Sequence, residues 1–398
     1  MLTFFGGIVY AQWTTQFSGT STYLTSVFFP SPDTGYITKE NGGLLKTVNG
    51  GNNWYVVSPI GTVGNIYFTS NDTGYSINAN SILKTTNGAT SWTIKNTTST
   101  IYYFLSIFFA DKNTGYVLGT DSSTVTGYIY KTTDAGENWF LQSSFSLLMS
   151  IPVLYFTDIN NGYFVNYSSN AYKTTDGGLN WSTHIIDPTG QTEIHSVHFP
   201  SSNIGYAVGI KFSIGTAIYK TTDAGLTWTL QLSEETNPLY SVYFTNDNIG
   251  YAVGGNGFNS GTVIKTTDGG NIWSLSTVQS QTFNSVCFPN NNTGYAVGTN
   301  GTIIKYFDIS SDIGNENPLP LNNSSFIYPN PTTGKLNITI SKSKITDINI
   351  YNSIGENIYS FRTLMTNFEI DLSSQPKGIY FVKLDDGKKT YSEKVLIK

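Results

Sequence analysis

A Gly-Tyr pair recurs seven times along this chain, and its regular spacing limits the folds open to the sequence. The pairs begin at Gly35, Gly74, Gly115, Gly162, Gly205, Gly250 and Gly294, so consecutive copies lie 39 to 47 residues apart. A period of this length is typical of a β-propeller blade, a four-stranded sheet that packs against its neighbours around a central axis. The repeat therefore predicts a ring of seven blades.

Each repeat has the pattern of four short strands. Around Gly205, an apolar strand A ("SVHFP") is followed by strand B ("GYAVG"), strand C ("AIYK") and a strand D that begins at a tryptophan. Gly, Asn and Asp separate the strands, as tight turns require. Charged residues are only 12% of the chain and aromatic residues 15%, which favours strands over helices. We predict an all-β protein: a seven-bladed β-propeller over residues 12–307, followed by a small immunoglobulin-like β-sandwich.

The segment between strands C and D has the composition of a catalytic loop. It reads "YKTTDGGLNW" at Tyr172 to Trp181, and five near-copies occur elsewhere. Because one chain rarely needs six copies of a catalytic centre, we interpret it as a turn. Its Asp or Asn accepts backbone N–H bonds, Gly supplies positive φ, and Trp packs between blades. Ala89 replaces Gly in the second copy, which predicts the most strained turn. The expected structural residues are Asn49, Asn87, Asp134, Asp176, Asp223 and Asp268 with Trp54, Trp92, Trp139, Trp181, Trp228 and Trp273.

The seventh repeat contains strands A, B and C but neither the recurring turn nor a tryptophan. Trp13 stands alone before the first strand A, where a strand D would begin. We expect the segment at Trp13 to pair with strand C of the last blade and close the ring, which removes an exposed sheet edge.

The recurring turn resembles the Asp-box, or BNR, repeat, Ser/Thr-x-Asp-x-Gly-x-x-Trp, and residues 13–307 are similar to the photosystem II assembly-factor-like propellers. The resemblance implies the propeller fold. Asp-box propellers include sialidases, in which three arginines clamp the substrate carboxylate. The one arginine here, Arg362, lies outside the propeller, which excludes a sialidase.

Other Asp-box glycosidases cleave β-glucans with paired aspartates in a cleft between two propellers, whereas one ring is predicted here. Carboxylates on the predicted D–A and B–C loops leave a polysaccharide-active glycoside hydrolase open as an alternative, although their spacing singles out no pair. The leading expectation is a non-catalytic binding or interaction module, with a purely structural spacer as a third possibility. The loop carboxylates are Glu40, Asp121, Asp187, Glu193, Glu234 and Glu235.

We expect no cofactor and no metal site. The histidines are His184, His195 and His198, and strict strand alternation predicts that His195 and His198 point to opposite sides. Cys287 lies in the apolar stretch "SVCF", where a small buried side chain is expected rather than a reactive thiol.

The D–A and B–C loops of a propeller gather at one mouth of the central channel, which is where ligands usually bind. Aromatic side chains there suit a glycan or a protein partner, although they can also serve only to cap the blade packing. The candidate ligand surface is Tyr102, Tyr103, Phe145, Lys211, Phe212 and Phe258.

The charge is unevenly distributed. Residues 1–325 carry 11 basic and 19 acidic groups, a net charge of −8, and residues 326–398 carry 10 and 7, a net charge of +3. An acidic body without a basic stripe is a poor match to phosphate backbones, so no nucleic-acid partner is expected.

Both ends of the chain differ from the repeats. Residues 1–11 form a short apolar run ending in a small-x-small pattern, from which we expect a signal peptide with a truncated start; a buried first strand is the alternative. No segment reaches transmembrane length. Residues 308–325 are polar and contain prolines, as linkers do, and the alternating apolar pattern of residues 326–398 predicts the sandwich.

Residues 326–398 resemble the type A sorting domain of the type IX secretion system of Bacteroidota; an ordinary immunoglobulin-like domain is the alternative. The resemblance implies a secreted or outer-membrane surface-attached protein that passes through the periplasm. Its implied partners are the type IX translocon and the C-terminal signal peptidase that removes the domain. The matching residues are Tyr328, Pro329, Asn330, Pro331, Gly334, Gly378, Tyr380 and Lys398.

Overall fold

The computed structural model divides the chain into two compact units, residues 1–308 and 309–398. It describes residues 12–57, 65–78, 80–97, 103–121, 126–146, 153–212, 215–235, 237–257, 261–279, 281–307, 325–340, 346–353, 355–363, 367–385 and 390–398. The predicted signal peptide and residues 308–324 of the predicted linker lie outside these ranges. Among the described residues, no helix is long and apolar enough to cross a membrane.

The described part of the first unit consists of seven four-stranded antiparallel sheets. The chain begins with β1 (Gln12–Gln16), which belongs to the last sheet. Blade 1 contains β2 (Leu24–Phe28), β3 (Gly35–Lys39), β4 (Leu44–Thr47) and β5 (Tyr55–Val57). Blade 2 contains β6 (Ile66–Phe68), β7 (Gly74–Asn78), β8 (Ser81–Thr85) and β9 (Thr93–Thr97). Blade 3 contains β10 (Tyr103–Phe109), β11 (Gly115–Asp121), β12 (Thr126–Thr132) and β13 (Phe140–Ser146).

The remaining blades follow the same order. Blade 4 contains β14 (Val153–Phe156), β15 (Gly162–Val165), β16 (Asn170–Thr174) and β17 (Ser182–Ile185). Blade 5 contains β18 (Thr192–His198), β19 (Gly205–Lys211), β20 (Gly215–Thr221) and β21 (Thr229–Glu235). Blade 6 contains β22 (Leu239–Phe244), β23 (Gly250–Gly254), β24 (Gly261–Thr266) and β25 (Ser274–Gln279). Blade 7 contains β26 (Phe283–Asn290), β27 (Thr293–Gly298), β28 (Ile303–Phe307) and β1, with a 3-10 turn at Thr299–Gly301.

The Gly-Tyr pair explains how neighbouring blades pack. A Cβ on the glycine would collide with the strand A phenylalanine of the same blade, as at Gly205 and Phe199. The tyrosine stacks on the strand A phenylalanine of the next blade, with centroid separations of 3.6 to 4.2 Å. The blade tryptophan meets that phenylalanine edge to face. The glycine of each pair is thus required by packing.

The ring closes between blade 7 and blade 1. Strand β1 pairs antiparallel with β28, with Trp13 opposite Tyr306. Tyr295 of blade 7 stacks on Phe29 of blade 1 at 4.0 Å, and the backbone N–H of Val27 donates to Ser285 Oγ at 3.2 Å. The first and last blades therefore meet through the same kind of contact as the other pairs, and the all-β propeller prediction is confirmed.

The second unit is a β-sandwich of two sheets. Its strands are β29 (Ser325–Tyr328), β30 (Lys335–Ile340), β31 (Thr346–Asn352), β32 (Asn357–Thr363), β33 (Asn367–Asp371), β34 (Gly378–Asp385) and β35 (Thr390–Ile397). One sheet has the order β29-β30-β33 and the other β32-β31-β34-β35. Ile338 from the first sheet and Ile350, Val382 and Val395 from the second lie in a single buried core.

Candidate functional site

The six C–D turns share one hydrogen-bond pattern. In the turn at Asp176, the Thr174 hydroxyl donates to Asp176 Oδ1 at 2.8 Å and accepts the N–H of Gly178 at 2.9 Å. Asp176 Oδ1 also accepts the N–H of Asn180 at 3.0 Å. Asn49 and Asn87 accept the corresponding N–H groups through their amide oxygens, at 3.0 and 2.9 Å. Each turn uses its carboxylate or amide internally, as an Asx turn does.

The turn aspartates are held ionised. Hydrogen bonds from the backbone N–H and the side chain of Asn180 lower the pKa of Asp176 to about 2. Asp134, bonded in the same way to Asn138, and Asp223, bonded first by the Thr227 side chain, also have a pKa of about 2. A group with so low a pKa is a poor general acid near neutral pH.

Alanine as well as glycine adopts positive φ in these turns, whereas the sequence predicted glycine alone. Two consecutive residues of each turn lie in the left-handed region, and the first is Ala135 in the third turn and Ala224 in the fifth, with φ of 57° and 59°. Ala89, with φ of 69°, holds the second position of its turn. Alanine therefore occupies this region in three turns, and Ala89 is the alanine that takes the second position, so that the second turn is the most strained stays a prediction.

Tyrosine and lysine side chains tie each turn to the preceding blade. Tyr206 of strand B and Lys220 of strand C both donate to the carbonyl of Gly269 in the next turn, at 2.8 and 2.6 Å. The same pair of contacts, from Tyr295 and Lys305 to Gly50, crosses the closure between blades 7 and 1. Sequence reasoning missed this role, although the Tyr and Lys recur in every repeat.

The candidate ligand surface is only partly exposed. Tyr103 and Phe212 are 54% and 50% exposed, at the start of β10 and just beyond β19. Lys211 ends β19. Phe145 lies within β13 and stacks on Phe164 with centroids 4.8 Å apart, so it contributes to packing rather than to an open loop. Tyr102 and Phe258 lie outside the described residues.

The loop carboxylates are spread over several blades. Asp187 accepts hydroxyl bonds from Thr189 and Thr192, each at 2.7 Å. Burial raises the pKa of Asp187, but hydrogen bonds led by that of Thr192 outweigh it, and the net pKa is lowered. Glu40 follows β3, Asp121 ends β11 as a buried residue, and Glu234 is exposed near the end of β21. Glu235 ends β21, and its side chain lies outside the described part.

Side chains from the seven A strands form a ring around the axis near the ends of those strands. Neighbouring members from Phe28 to Tyr243 have centroid separations of 4.5 to 5.4 Å, and Cys287, which is buried, takes the seventh place. Two residues before the ring member on strand A, Ser196 Oγ accepts the N–H of Val242 in the next blade at 3.3 Å. The ring members are Phe28, Tyr67, Phe108, Tyr155, His198, Tyr243 and Cys287.

His195 and His198 both face the axis, so the prediction of opposite faces is wrong. Strand β18 has a bulge between Ile194 and Ser196, and a bulge breaks strict alternation. His198 contacts Tyr155 of blade 4 and Tyr243 of blade 6. His195, nearer the start of the strand, lies likewise between blades 4 and 6.

Three side chains, one each from blades 4, 5 and 6, lie around His195. Its ring lies 4.8 Å from that of Tyr167 on the B–C turn of blade 4 and 5.2 Å from that of Tyr240 of blade 6. Glu193 Oε2 lies 3.9 Å from His195 Nε2. Strand A begins at the D–A loop, so this cluster, which we call the His195 pocket, is on the mouth side of the axial ring. Burial lowers the pKa of His195 to about 4, which leaves the imidazole neutral at pH 7.

Within the described ranges, no three His, Cys, Asp or Glu side chains converge as a metal site would need. His184 lies on β17, where its Nε2 is hydrogen-bonded to the Ser182 hydroxyl at 2.9 Å. It is separated in sequence from His195 and His198 and contacts different residues.

Residues 328–334 form hydrogen bonds with the C-terminal strand β35. Asn330 Nδ2 donates to the carbonyl of Lys394 at 2.7 Å, and its Oδ1 accepts the N–H of Leu396 at 3.0 Å. Thr332 continues the contact through backbone bonds with Leu396 and Lys398, at 2.8 and 2.9 Å. The residues between Tyr328 and Gly334 therefore act as a short clamp on β35. Gly334 has φ of 128°, and a Cβ there would collide with Ser373.

Residues 326–398 match the family described as "Secretion system C-terminal sorting domain". No curated protein matches the chain. The chain is therefore a β-propeller protein with a C-terminal sorting domain of the type IX secretion kind, as the sequence predicted.

Solved structures with the same fold include two YCF48 proteins. "YCF48 bound to D1 peptide" is 19% identical, covers 75% of this chain and 96% of that chain, and has a TM-score of 0.62. YCF48 from Cyanidioschyzon merolae is 16% identical over 75% and 99%, with a TM-score of 0.60. A GH74 enzyme from Niastella koreensis is 15% identical over 97% and 74%, with a TM-score of 0.59. At these identities the likeness shows the fold alone.

Proposed function

We propose that the protein is exported through the periplasm by the type IX secretion system and acts at or beyond the outer-membrane surface as a binding protein without catalysis of its own. The export part of this proposal is supported by the match of residues 326–398 to the sorting-domain family. The translocon and a C-terminal signal peptidase are its partners, and the propeller is released or surface-attached after the domain is removed.

The division into two units supports removal of the domain. Every described sheet of the propeller is completed by strands from residues 12–307. Cutting the chain after Phe307 therefore breaks no sheet of the ring. A cargo protein of this design keeps its folded propeller when it loses its sorting signal.

The binding half rests on the side chains at the mouth of the channel. The D–A and B–C loops form this mouth at the opposite end of the A strands from the axial ring. Exposed aromatic side chains at Tyr103 and Phe212 border the loops, and concave surfaces with aromatic side chains suit glycans and proteins.

A polysaccharide-active glycoside hydrolase is the second candidate, favoured by the GH74 neighbour that aligns with 97% of this chain. Against it stands Asp187, a buried loop carboxylate that accepts hydroxyl bonds from Thr189 and Thr192. Its lowered pKa does not suit a general acid, which needs a raised one.

Two experiments test the halves separately. For export, residues 326–398 are deleted in a type IX-competent cell, and residues 310–398 are fused to a reporter. We expect the truncated propeller to stay in the periplasm and the reporter to leave the cell. Truncated protein at the surface, or a mature surface form whose intact mass still includes Lys398, would contradict the sorting role.

For binding, the purified chain is applied to a glycan array and, in parallel, incubated with the same polysaccharides while reducing ends are measured. Saturable binding without new reducing ends supports the binding module. Release of reducing ends that is lost in variants of the loop carboxylates would establish the hydrolase instead.

A further inference from the structure

We propose that the His195 pocket binds a primary ammonium group, the side chain of a lysine on a partner protein. This inference rests on the proposed binding function and makes it specific. The pocket is formed by Tyr167, Glu193, His195 and Tyr240, which come from blades 4, 5 and 6, on the mouth side of the axial ring.

The pocket contains a polar atom without a partner in the described chain. His195 Nε2 is buried and has no hydrogen-bond partner within the described chain, and the side chain is only 12% exposed. Buried polar atoms are nearly always paired in native proteins, so an unpaired one calls for a ligand or water. Because the imidazole is neutral, its nitrogen can act as an acceptor.

The pocket also contains a carboxylate that no described lysine or arginine neutralises. Glu193 is 32% exposed, and its described ion-pair contact is the 3.9 Å approach to His195; no lysine or arginine of the described chain pairs with it. An ammonium nitrogen at the roughly 2.8 Å of a charge-assisted hydrogen bond can reach two acceptors this far apart. A hydroxyl has one proton to donate and cannot donate to both.

Two aromatic side chains line the pocket. Tyr167 and Tyr240 flank the imidazole, and tyrosine rings attract cations through their faces. The chain already uses this chemistry at its blade interfaces, where lysine Nζ atoms lie 5.2 to 5.9 Å from tyrosine centroids. In the His195 pocket the tyrosines and the carboxylate are present, and no lysine of the described chain fills the place of the cation.

The charge of the whole propeller favours the same ligand. Residues 12–307 carry 11 basic and 16 acidic groups, and an acidic cleft raises the local concentration of cations. A lysine-bearing surface is therefore attracted to the mouth before it makes any specific contact.

The test uses the full chain labelled with ¹⁵N-histidine, which gives signals from three imidazoles; His195→Gln assigns one of them. The probes are Nα-acetyl-lysine methylamide, its neutral Nε-acetylated form and methyl β-glucoside, at constant ionic strength. We expect the lysine probe alone to shift the His195 signal saturably. Glu193→Gln, of almost equal size, should weaken binding at least about tenfold, and Tyr240→Leu should weaken it as well.

Asp72→Asn is the matched control, because Asp72 is an exposed carboxylate of the A–B turn in blade 2 and its loss changes the net charge equally. It should leave the titration unchanged. A shift with the glucoside and not with the lysine probe, equal shifts with both lysine forms, or unchanged affinity in Glu193→Gln would each overturn the proposal. A glycan or protein that binds the chain without moving the His195 signal would also overturn it while leaving the proposed binding function intact.

Discussion

Trp13 and Phe288 meet edge to face, with ring centroids 6.2 Å apart, although the first belongs to the first strand of the chain and the second to the last blade. The other six tryptophans meet their strand A phenylalanines at 5.8 to 6.3 Å. Trp13 thus takes the place of the tryptophan that the seventh repeat lacks. The ring is closed by packing as well as by the pairing of β1 with β28.

This closure predicts that the N-terminal strand stabilises the whole propeller. Deleting residues 12–20 exposes the edge of β28 and uncovers Tyr306, so the propeller should unfold at a lower temperature or aggregate. Trp13→Ala alone should cost about 3–5 kcal/mol of unfolding free energy, as other buried large-to-small changes do.

Thermal and urea unfolding of the purified chain measure both effects. Thr14→Ala is the control, because Thr14 lies on the same strand with an exposed side chain. An unchanged melting temperature in the deletion variant would show that β1 does not close the ring.

The Asp-box turns should matter for stability and not for binding. Asp176→Ala leaves the N–H of Asn180 and the hydroxyl of Thr174 without their acceptor, so we expect a loss of about 1–3 kcal/mol. Ligand affinity measured on the same variant should equal that of the wild type. Weaker binding at unchanged stability would instead make the turn a ligand site.

The depressed pKa values also predict acid sensitivity. Asp134, Asp176 and Asp223 have a folded-state pKa of about 2 against an ordinary value of 3.8. A lowered folded-state pKa contributes stability that is present above about pH 4 and is lost as the pH falls towards 2. The stability of the propeller should therefore fall across this window.

Asp176→Asn isolates one turn, because asparagine already serves at Asn49 and Asn87. It keeps the Oδ1 acceptor and loses the charge, so urea unfolding at several pH values should show a smaller drop between pH 4 and pH 2 than in the wild type. An identical drop in both proteins would mean that Asp176 does not contribute to it.

Most of the fold could be predicted from the repeat, and the errors concern the positions of single side chains. The spacing of Gly35 and its six counterparts sets the number of blades, and turn chemistry between apolar strands sets their order. The His195 pocket was not predicted, since its members are far apart in sequence and His195 reaches the axis only through a bulge. Bulges depend on the pairing partner, so strand alternation alone misplaces such a residue. Phe145 was misjudged for a similar reason: its strand extends further than the loop pattern indicated.

The clamp on the C-terminal strand gives the last prediction. Asn330 bonds to the backbone of Lys394 and Leu396, so Asn330→Ala should free the end of β35 while leaving the core at Ile350 and Val382 in place. We expect faster amide exchange at Leu396 and Lys398, earlier trimming by carboxypeptidase and reduced export of the full chain. Asn352→Ala, in the hairpin between β31 and β32, is the control for the loss of an amide elsewhere in the domain. Because the clamp places residues 328–334 directly against β35, we expect the two to act as one recognition surface. If Asn330→Ala protein were exported at the wild-type rate despite faster exchange at Leu396, the clamp would be a stabilising contact and not part of the sorting signal.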